Sequence, residues 1–517
     1  MGAVLPGRVG RRAPATFSQG ADVLSDDDAI LEKTARGAGW VVAWRMATRT
    51  LGVLSTLVLV RLLAPSDFGL VALASSFSVS IEAFSWIGIE EGVIRHKHPT
   101  DALMDTAFTL SVLRGTAIFA IVSAVAWPAA AFFGEPRLAP VLVALGLTVF
   151  IENFINVGVI EFRRDFDFRR EFRLYLLPRL LSIGVAIGAA SVLHTYWALI
   201  AAIVSNQVFR VCLSYVMHPY RPGFRLSEWR QMASYSAWNS VIAGSGALRD
   251  RVDTMMVGRA MSPAAVGFYA LGYEIASLPV TELIAPLTRA AFAGFAAAYR
   301  DELDAGRTWV RLVSTMALLT FPAGVGMSAI AAPLIELTFG PGWGAAVPVM
   351  QVLGLPFCLT VFGMVAQTLF LAQGHMRTSF AITAATTVVR LALLAALIPR
   401  LGLTGAALAA GGGIVLEQAM SAIWAMRRLN LSLFADLMPQ VWRCVLATAA
   451  MAGAMWMAGL GWRAMGVIWL PVAILLGAAV YGLALLGLWA LAGRPAGPEA
   501  DMLALLRRSW PSARLLR

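Results

Sequence analysis

Two stretches decide how this chain is read: Pro65-Ser66-Asp67-Phe68-Gly69-Leu70-Val71-Ala72-Leu73 and Pro263-Ala264-Ala265-Val266-Gly267-Phe268-Tyr269-Ala270-Leu271. Pro65, Gly69, Ala72 and Leu73 recur at an offset of 198 as Pro263, Gly267, Ala270 and Leu271. Phe133-Gly134 recurs as Phe339-Gly340, and Pro140-Val141 with Leu145-Gly146 recurs as Pro348-Val349 with Leu353-Gly354. Ala198, Ala201 and Ala202 then match Ala406, Ala409 and Ala410, so the offset widens to 208. An insertion in the loop around 293–310 accounts for the widening. One match arises easily by chance, but four in order do not.

The repeat lies in a chain of 517 residues that is 59% hydrophobic and 14% charged, with a mean hydropathy of +0.72. Soluble chains average about 45–50% apolar and about 25% charged residues. A helix needs ~20 mainly apolar residues to cross the hydrocarbon core. On that ruler spans fall near 39–63, 69–92, 107–131, 138–161, 174–193, 195–216 and 233–258, then near 266–288, 311–338, 345–371, 378–398, 404–426, 441–460 and 466–491. The expected fold class is all-α: a polytopic membrane protein with about fourteen transmembrane helices. The alternating short strands of a membrane barrel are missing.

The net charge of +11 is almost all arginine, since lysine occurs only at Lys33 and Lys97. Arginines flanking apolar blocks suit anionic lipid better than nucleic acid. The even-numbered connecting loops hold fifteen Lys and Arg residues, including Arg163, Arg164, Arg169, Arg170 and Arg173, against five in the odd-numbered loops. By the positive-inside rule both termini are cytoplasmic. Spans one to six correspond to seven to twelve, and an even number keeps both halves in one orientation, with the symmetry axis along the membrane normal.

The chain thus divides into a disordered cytoplasmic tail at 1–35, a six-helix lobe at 36–217, an interfacial linker helix at 218–232, a second six-helix lobe at 233–430, two extra helices at 431–491 and a basic cytoplasmic tail at 492–517. The linker helix is read from Leu226, Trp229 and Met232 at three-residue spacing after Pro219, Pro222 and Gly223. A cytosolic extension of the next span is an equal alternative. Cys212, Cys358 and Cys444 all fall in apolar stretches and read as small core residues, with no disulfide framework. No Walker A, HExxH or CxxC pattern occurs, so no cofactor or metal is expected and no ATP hydrolysis by this chain.

The run Leu59-Val60-Arg61-Leu62-Leu63-Ala64-Pro65-Ser66-Asp67-Phe68-Gly69-Leu70 resembles the first-loop signature of Wzx-type polysaccharide exporters, within the multidrug/oligosaccharidyl-lipid/polysaccharide superfamily. Asp253-Thr254-Met255-Met256-Val257-Gly258, Gly267-Phe268-Tyr269, Leu278-Pro279 and Phe339-Gly340…Trp343…Ala346-Val347-Pro348 are similar to the same family. The resemblance spans roughly 36–430. It implies two six-helix lobes around a central cavity working by alternating access in the bacterial inner membrane. The implied cargo is an undecaprenyl-diphosphate-linked oligosaccharide, moved from the inner to the outer leaflet for exopolysaccharide or lipopolysaccharide biosynthesis. Membrane lipids are the other contacts, with a polysaccharide polymerase or export machinery as an open partner.

At least fourteen ionisable residues sit inside the spans, among them Arg45, Arg49, Glu82, Arg249, Asp253, Glu274, Glu282, Arg390 and Glu417. At ~3 kcal/mol each, exposing all of them to lipid costs on the order of 40 kcal/mol, more than the ~5–15 kcal/mol that stabilises a typical domain. Most must face a wet cavity or one another. Arg45 and Arg49 share a helix face, and their forked guanidinium groups suit a diphosphate. Arg390, near the middle of its span, reads as an isolated cation, so Arg45, Arg49 and Arg390 are the expected substrate-binding residues. The competing reading has them pairing with Glu82, Glu152 or Glu417. Arg249, Asp253, Glu82, Glu274 and Glu282 are the expected gating or cation-coupling groups. Arg249 and Asp253 are also placed to neutralise each other, and Glu274 and Glu282 to pair with Arg289 or Arg251. Arg114 and Arg179 read as snorkelling residues near helix ends.

The alternatives within the superfamily are a drug/cation antiporter and a flippase for the peptidoglycan lipid precursor. A membrane polysaccharide polymerase or ligase fits less well, because catalytic groups need sizeable exposed loops and these outer loops are short.

Overall fold

The computed structural model describes residues 43–85, 99–165, 167–230, 237–284, 305–463, 466–495 and 497–500, with single positions between. The tail at 1–35, and the second tail beyond residue 502, lie outside the described residues. Every regular element described is helical.

In the first half, α1 covers 43–62 and is followed by α2 (Pro65–Phe84), α3 (Asp101–Phe133), α4 (Leu138–Glu152), α5 (Phe168–Leu193) and α6 (Trp197–Met217). In the second, α7 (Ala237–Ala260) and α8 (Pro263–Pro279) precede α9 (Ala305–Ala329), α10 (Ala331–Phe339), α11 (Val347–Cys358), α12 (Thr360–Ala372) and α13 (Met376–Arg428). Two further helices, α14 (Met438–Met457) and α15 (Leu470–Leu491), close the chain. Six helices among the described residues are long and apolar enough to cross a membrane, or up to eight if each of two bent pairs is one span.

The matched repeat segments begin alike. Pro65 and Pro263 each stand in the first turn, where the missing N–H goes unneeded and the fixed φ suits a helix. Asp67 accepts from the Ala64 N–H at 3.1 Å, and Ser262 from the Ala265 N–H at 3.3 Å. The two helices then pack on each other. A Cβ on Gly69 would stand 1.7 Å from the Pro263 carbonyl oxygen, and one on Gly267 would stand 2.3 Å from that of Pro65. The contact is reciprocal, as between the two copies in a two-fold interface. Trp343, only 3% exposed, plugs the same end of the bundle with its ring 5.5 Å from Phe68 and 5.7 Å from Phe268.

At 53 residues, α13 would be ~80 Å long if straight, far beyond the ~30 Å hydrocarbon core. It is not straight. Gly402 takes φ 58°, ψ −134°, and the chain doubles back there: Gly413 packs on Arg390, and Gly405 on Leu397. The break falls between the spans read at 378–398 and 404–426.

The linker differs from the expected 218–232 helix. Residues 218–226 are non-helical, and helix resumes only at 229–230; 231–236 lie outside the described residues. The N-terminal turns of α3 hold this strap down. Asp105 accepts from the Gly223 N–H and the Tyr220 hydroxyl, both at 2.6 Å, and Thr109 accepts from the Arg225 N–H at 2.9 Å. Side chains thereby take the backbone donors that a helix would have used internally. Burial first, and then its bond to Asp105, raise the Tyr220 hydroxyl above its ordinary value. Phe224 and Trp229 stay exposed. Cys358 and Cys444 are buried as expected, but Cys212 is exposed on α6.

Candidate functional site

Residues Arg45, Thr48, Arg49, Gly52 and Thr56 follow the i, i+3, i+4, i+7, i+11 spacing of one helix face, and on α1 that face lines a cavity of about 800 Å³. Tyr175 and Arg179 of α5 complete its first-half wall, while Glu274 of α8 and Glu282 of the π-turn that follows it (Val280–Ile284) stand on the second-half wall. Trp44 stacks on Tyr175 with centroids 4.8 Å apart. Gly52 makes room for a third arginine: a Cβ there would lie 3.0 Å from the Arg179 guanidinium. The lining therefore carries Arg45, Arg49 and Arg179 against Glu274 and Glu282, a formal excess of one positive charge. Arg49 Nε reaches Glu282 Oε1 at 3.3 Å across the cavity, while Arg45 and Arg179 have no carboxylate partner among the described residues.

A second cavity of about 570 Å³ lies wholly within the second half, between α7, α8, α12 and α13. Arg249 donates to Glu417 at 2.6 Å and to neighbouring Asp250 at 2.9 Å. Arg390, 4% exposed, donates to Asp253, whose Oδ2 also accepts from the Tyr269 hydroxyl at 2.8 Å. In the first half, Arg114 faces Glu82 at 3.6 Å, and Arg210 pairs with Glu152, which also accepts from Gln207 at 2.9 Å.

These contacts correct several expectations. Arg390 is not an isolated cation, because Asp253 from another helix neutralises it. Arg249 and Asp253 do not neutralise each other: their face is shared, but each finds a partner on α13 instead. Glu282 pairs with Arg49 rather than with Arg251, which is exposed, or Arg289, which lies outside the described residues. Glu274 and Glu282 do line one cavity. Arg179 turns into that cavity rather than snorkelling, and Arg114 meets Glu82. Glu82 lies away from both cavities, in the first-half cluster. Arg210 and the buried Arg443, which grips Glu499 at 2.7 and 3.1 Å, join these embedded charges; the signal that marks each is its place within an apolar span. Among the described residues no cluster of three His, Cys, Asp or Glu side chains is placed to hold a metal ion.

The helices, the paired intramembrane charges and the cavity between the halves define a multi-pass membrane transport protein. Comparison with known proteins gives the class its family. A model described as polysaccharide biosynthesis protein matches residues 58–348, more than half of the chain, and the chain belongs to that family: the Wzx-type polysaccharide flippases of the MOP superfamily, which are transporters rather than enzymes. The chain is similar to the lipopolysaccharide biosynthesis protein WzxC of Escherichia coli, 24% identical over 68% of this chain and 72% of that one. It is also similar to the teichuronic acid biosynthesis protein TuaB of Bacillus subtilis, 21% identical over 68% and 74%. Among solved structures it shares the fold of the lipid II flippase MurJ in an inward closed conformation, with a TM-score of 0.70 at 11% identity over 88% of this chain and all of that one. An inward-facing MATE-family multidrug transporter of the MOP superfamily gives 0.55 at 18% identity, over 74% and 94%.

Proposed function

We propose that the protein carries an undecaprenyl-diphosphate-linked oligosaccharide repeat unit from the inner to the outer leaflet of the bacterial inner membrane, for exopolysaccharide or lipopolysaccharide assembly. The observation that carries this reading is the basic face of α1 and α5 inside the cavity between the halves. Two guanidinium groups without a carboxylate partner among the described residues and one facing a half-exposed glutamate suit a diphosphate through charge-assisted, forked hydrogen bonds. Transport proceeds by alternating access between lobes at 36–217 and 233–430, within a fourteen-span chain whose termini are both cytoplasmic. The reciprocal Gly69–Gly267 contact supports this arrangement, because it ties matched points of the two repeats together at what is then the outer end. The similarity to WzxC, a lipopolysaccharide biosynthesis protein, and to TuaB, a teichuronic acid biosynthesis protein, supports a glycan cargo.

Charge-assisted hydrogen bonds contribute about 1.5–3 kcal/mol each. Arg45→Ala or Arg49→Ala therefore weakens cargo binding roughly tenfold to a hundredfold at ~1.4 kcal/mol per decade, with membrane abundance unchanged. Arg49→Lys is partly tolerated, since lysine keeps the charge and loses the fork. Cells lacking the protein accumulate undecaprenyl-linked repeat units on the cytoplasmic leaflet. Intact surface polysaccharide together with sensitivity to cationic drugs would replace this function with antiport. Reporter fusions placing residue 300 or residue 510 outside the cytoplasm would overturn the topology.

A further inference from the structure

The second-half cavity has a different chemistry from the central one. Its lining charges, Arg249 and Arg390 against Asp250 and Glu417, sum to zero, and Asp253 behind Arg390 adds a negative charge. An anion gains nothing there. What the cavity offers is a mixed array of neutral donors and acceptors: Ser379, Thr383, Gln367, Gln418 and Ser421. Ser379 Oγ donates to Gln367 Oε1 at 2.8 Å, so the Gln367 amide donors are not used in that bond. Arg390 is buried yet keeps its Nε–H without a partner, and Gln418 keeps its Oε1 without one, among the described residues. Unpaired buried polar atoms are costly unless a ligand or water completes them. Tyr273 and Phe357, packed edge to face at 5.2 Å, add an apolar aromatic surface.

We propose that this cavity seats the glycan portion of the cargo, while the central cavity holds its diphosphate; the inference rests on the function proposed above. Sugar hydroxyls both donate and accept, which the amide and hydroxyl lining matches, and sugar C–H faces pack on aromatic rings. A volume of about 570 Å³ falls within the ~300–1,000 Å³ of ordinary small-molecule sites. The two cavities adjoin: Thr281 lines both, and its neighbour Glu282 is the residue that meets Arg49. A glycosylated diphosphate bound at Arg45 and Arg49 therefore has its first sugar near Thr281, the residue that both linings share.

The test uses two lipids on the purified full chain in nanodiscs: undecaprenyl diphosphate itself, and the glycosylated lipid accumulated by cells lacking the protein. The wild type is expected to bind the glycosylated lipid at least tenfold more tightly. Gln367→Leu combined with Ser421→Ala should remove about tenfold of that preference, the loss of two neutral hydrogen bonds, and leave undecaprenyl diphosphate binding unchanged. Thr360→Trp, which fills the cavity from α12, should abolish the preference while the melting temperature reports that the chain is folded. Arg45→Ala should weaken both lipids equally. If folded Gln367/Ser421 and Thr360 variants keep the full preference for the glycosylated lipid, the cavity is not the glycan seat. If the wild type binds neither lipid, the flippase reading fails first.

Discussion

The two halves share a backbone plan but not a charge plan. Gly69 and Gly267 meet reciprocally, and Phe68 and Phe268 flank the same Trp343. The embedded ion pairs follow no such correspondence among the described residues. The first half joins α2 to α3 through Glu82–Arg114 and α4 to α6 through Glu152–Arg210. The second joins α7 to both limbs of α13, through Asp253–Arg390 and Arg249–Glu417. A repeat preserves what backbone geometry demands, namely glycine where two helices touch carbonyl to Cα. Charges need only sum to zero locally, so each half solves that problem with different residues. Burial separates the solutions further: Arg390 and Asp253 side chains are 4% and 2% exposed, whereas Arg49 and Glu282 at the central cavity are 40% and 43% exposed.

The largest expected effect breaks the most buried pair. Arg390→Ala strands Asp253, already with an unpartnered Oδ1, with the Tyr269 hydroxyl as its remaining hydrogen-bond donor among the described residues. Removing one partner of a buried pair costs about 3–5 kcal/mol. Arg390→Ala should therefore deplete the protein from the membrane, and Asp253→Ala in the same chain should restore much of it, a coupling that a double-mutant cycle on melting temperature reads directly. Additive losses would show that Arg390 acts otherwise than through Asp253.

The next effect tests the shared backbone plan. Alanine at Gly69 or Gly267 drives a Cβ into a carbonyl oxygen of the opposing helix, and backbone cannot swing aside as a side chain can. Overpacking of this kind costs about 1–3 kcal/mol. Both variants should lower the melting temperature, Gly69→Ala more because its clash is deeper at 1.7 Å against 2.3 Å. Unchanged stability in both would mean the reciprocal contact holds nothing together.

These contrasts also explain what the sequence made legible. Helical periodicity is local, so Arg45 and Arg49 on one face of α1 were readable and do line one cavity. The repeat was readable because glycine and proline mark backbone constraints that no other residue satisfies. Ion pairs are not local: Arg390 looked isolated because its partner lies 137 residues away, and Arg249 looked matched to Asp253 because sequence shows only the neighbour on its own helix. Arg179 was misplaced for a related reason. Its route into the cavity depends on Gly52 of a different helix, an absence of atoms that becomes visible only when α1 and α5 are packed. Residues 218–226 stay non-helical through competition, since Asp105 and Thr109 offer acceptors from α3 that the apolar spacing of 218–232 does not reveal.

The smallest expected effect lies at the central cavity. The Arg49–Glu282 pair spans the two halves at 3.3 Å, but both side chains remain about two-fifths exposed, and solvent screens such pairs to about 0–1 kcal/mol. Glu282→Gln should leave the melting temperature nearly unchanged. Its consequence is electrostatic: with Glu282 neutral, the cavity lining rises from one formal positive charge to two, and the Arg49 fork loses its competitor. Binding of undecaprenyl diphosphate to Glu282→Gln should therefore be at least as tight as to the wild type, and Arg49→Ala should cost more in that background than in the native one. The opposite result, a stability loss comparable with that of Arg390→Ala, would make Arg49–Glu282 a fastening between the halves rather than a weak pair that cargo displaces.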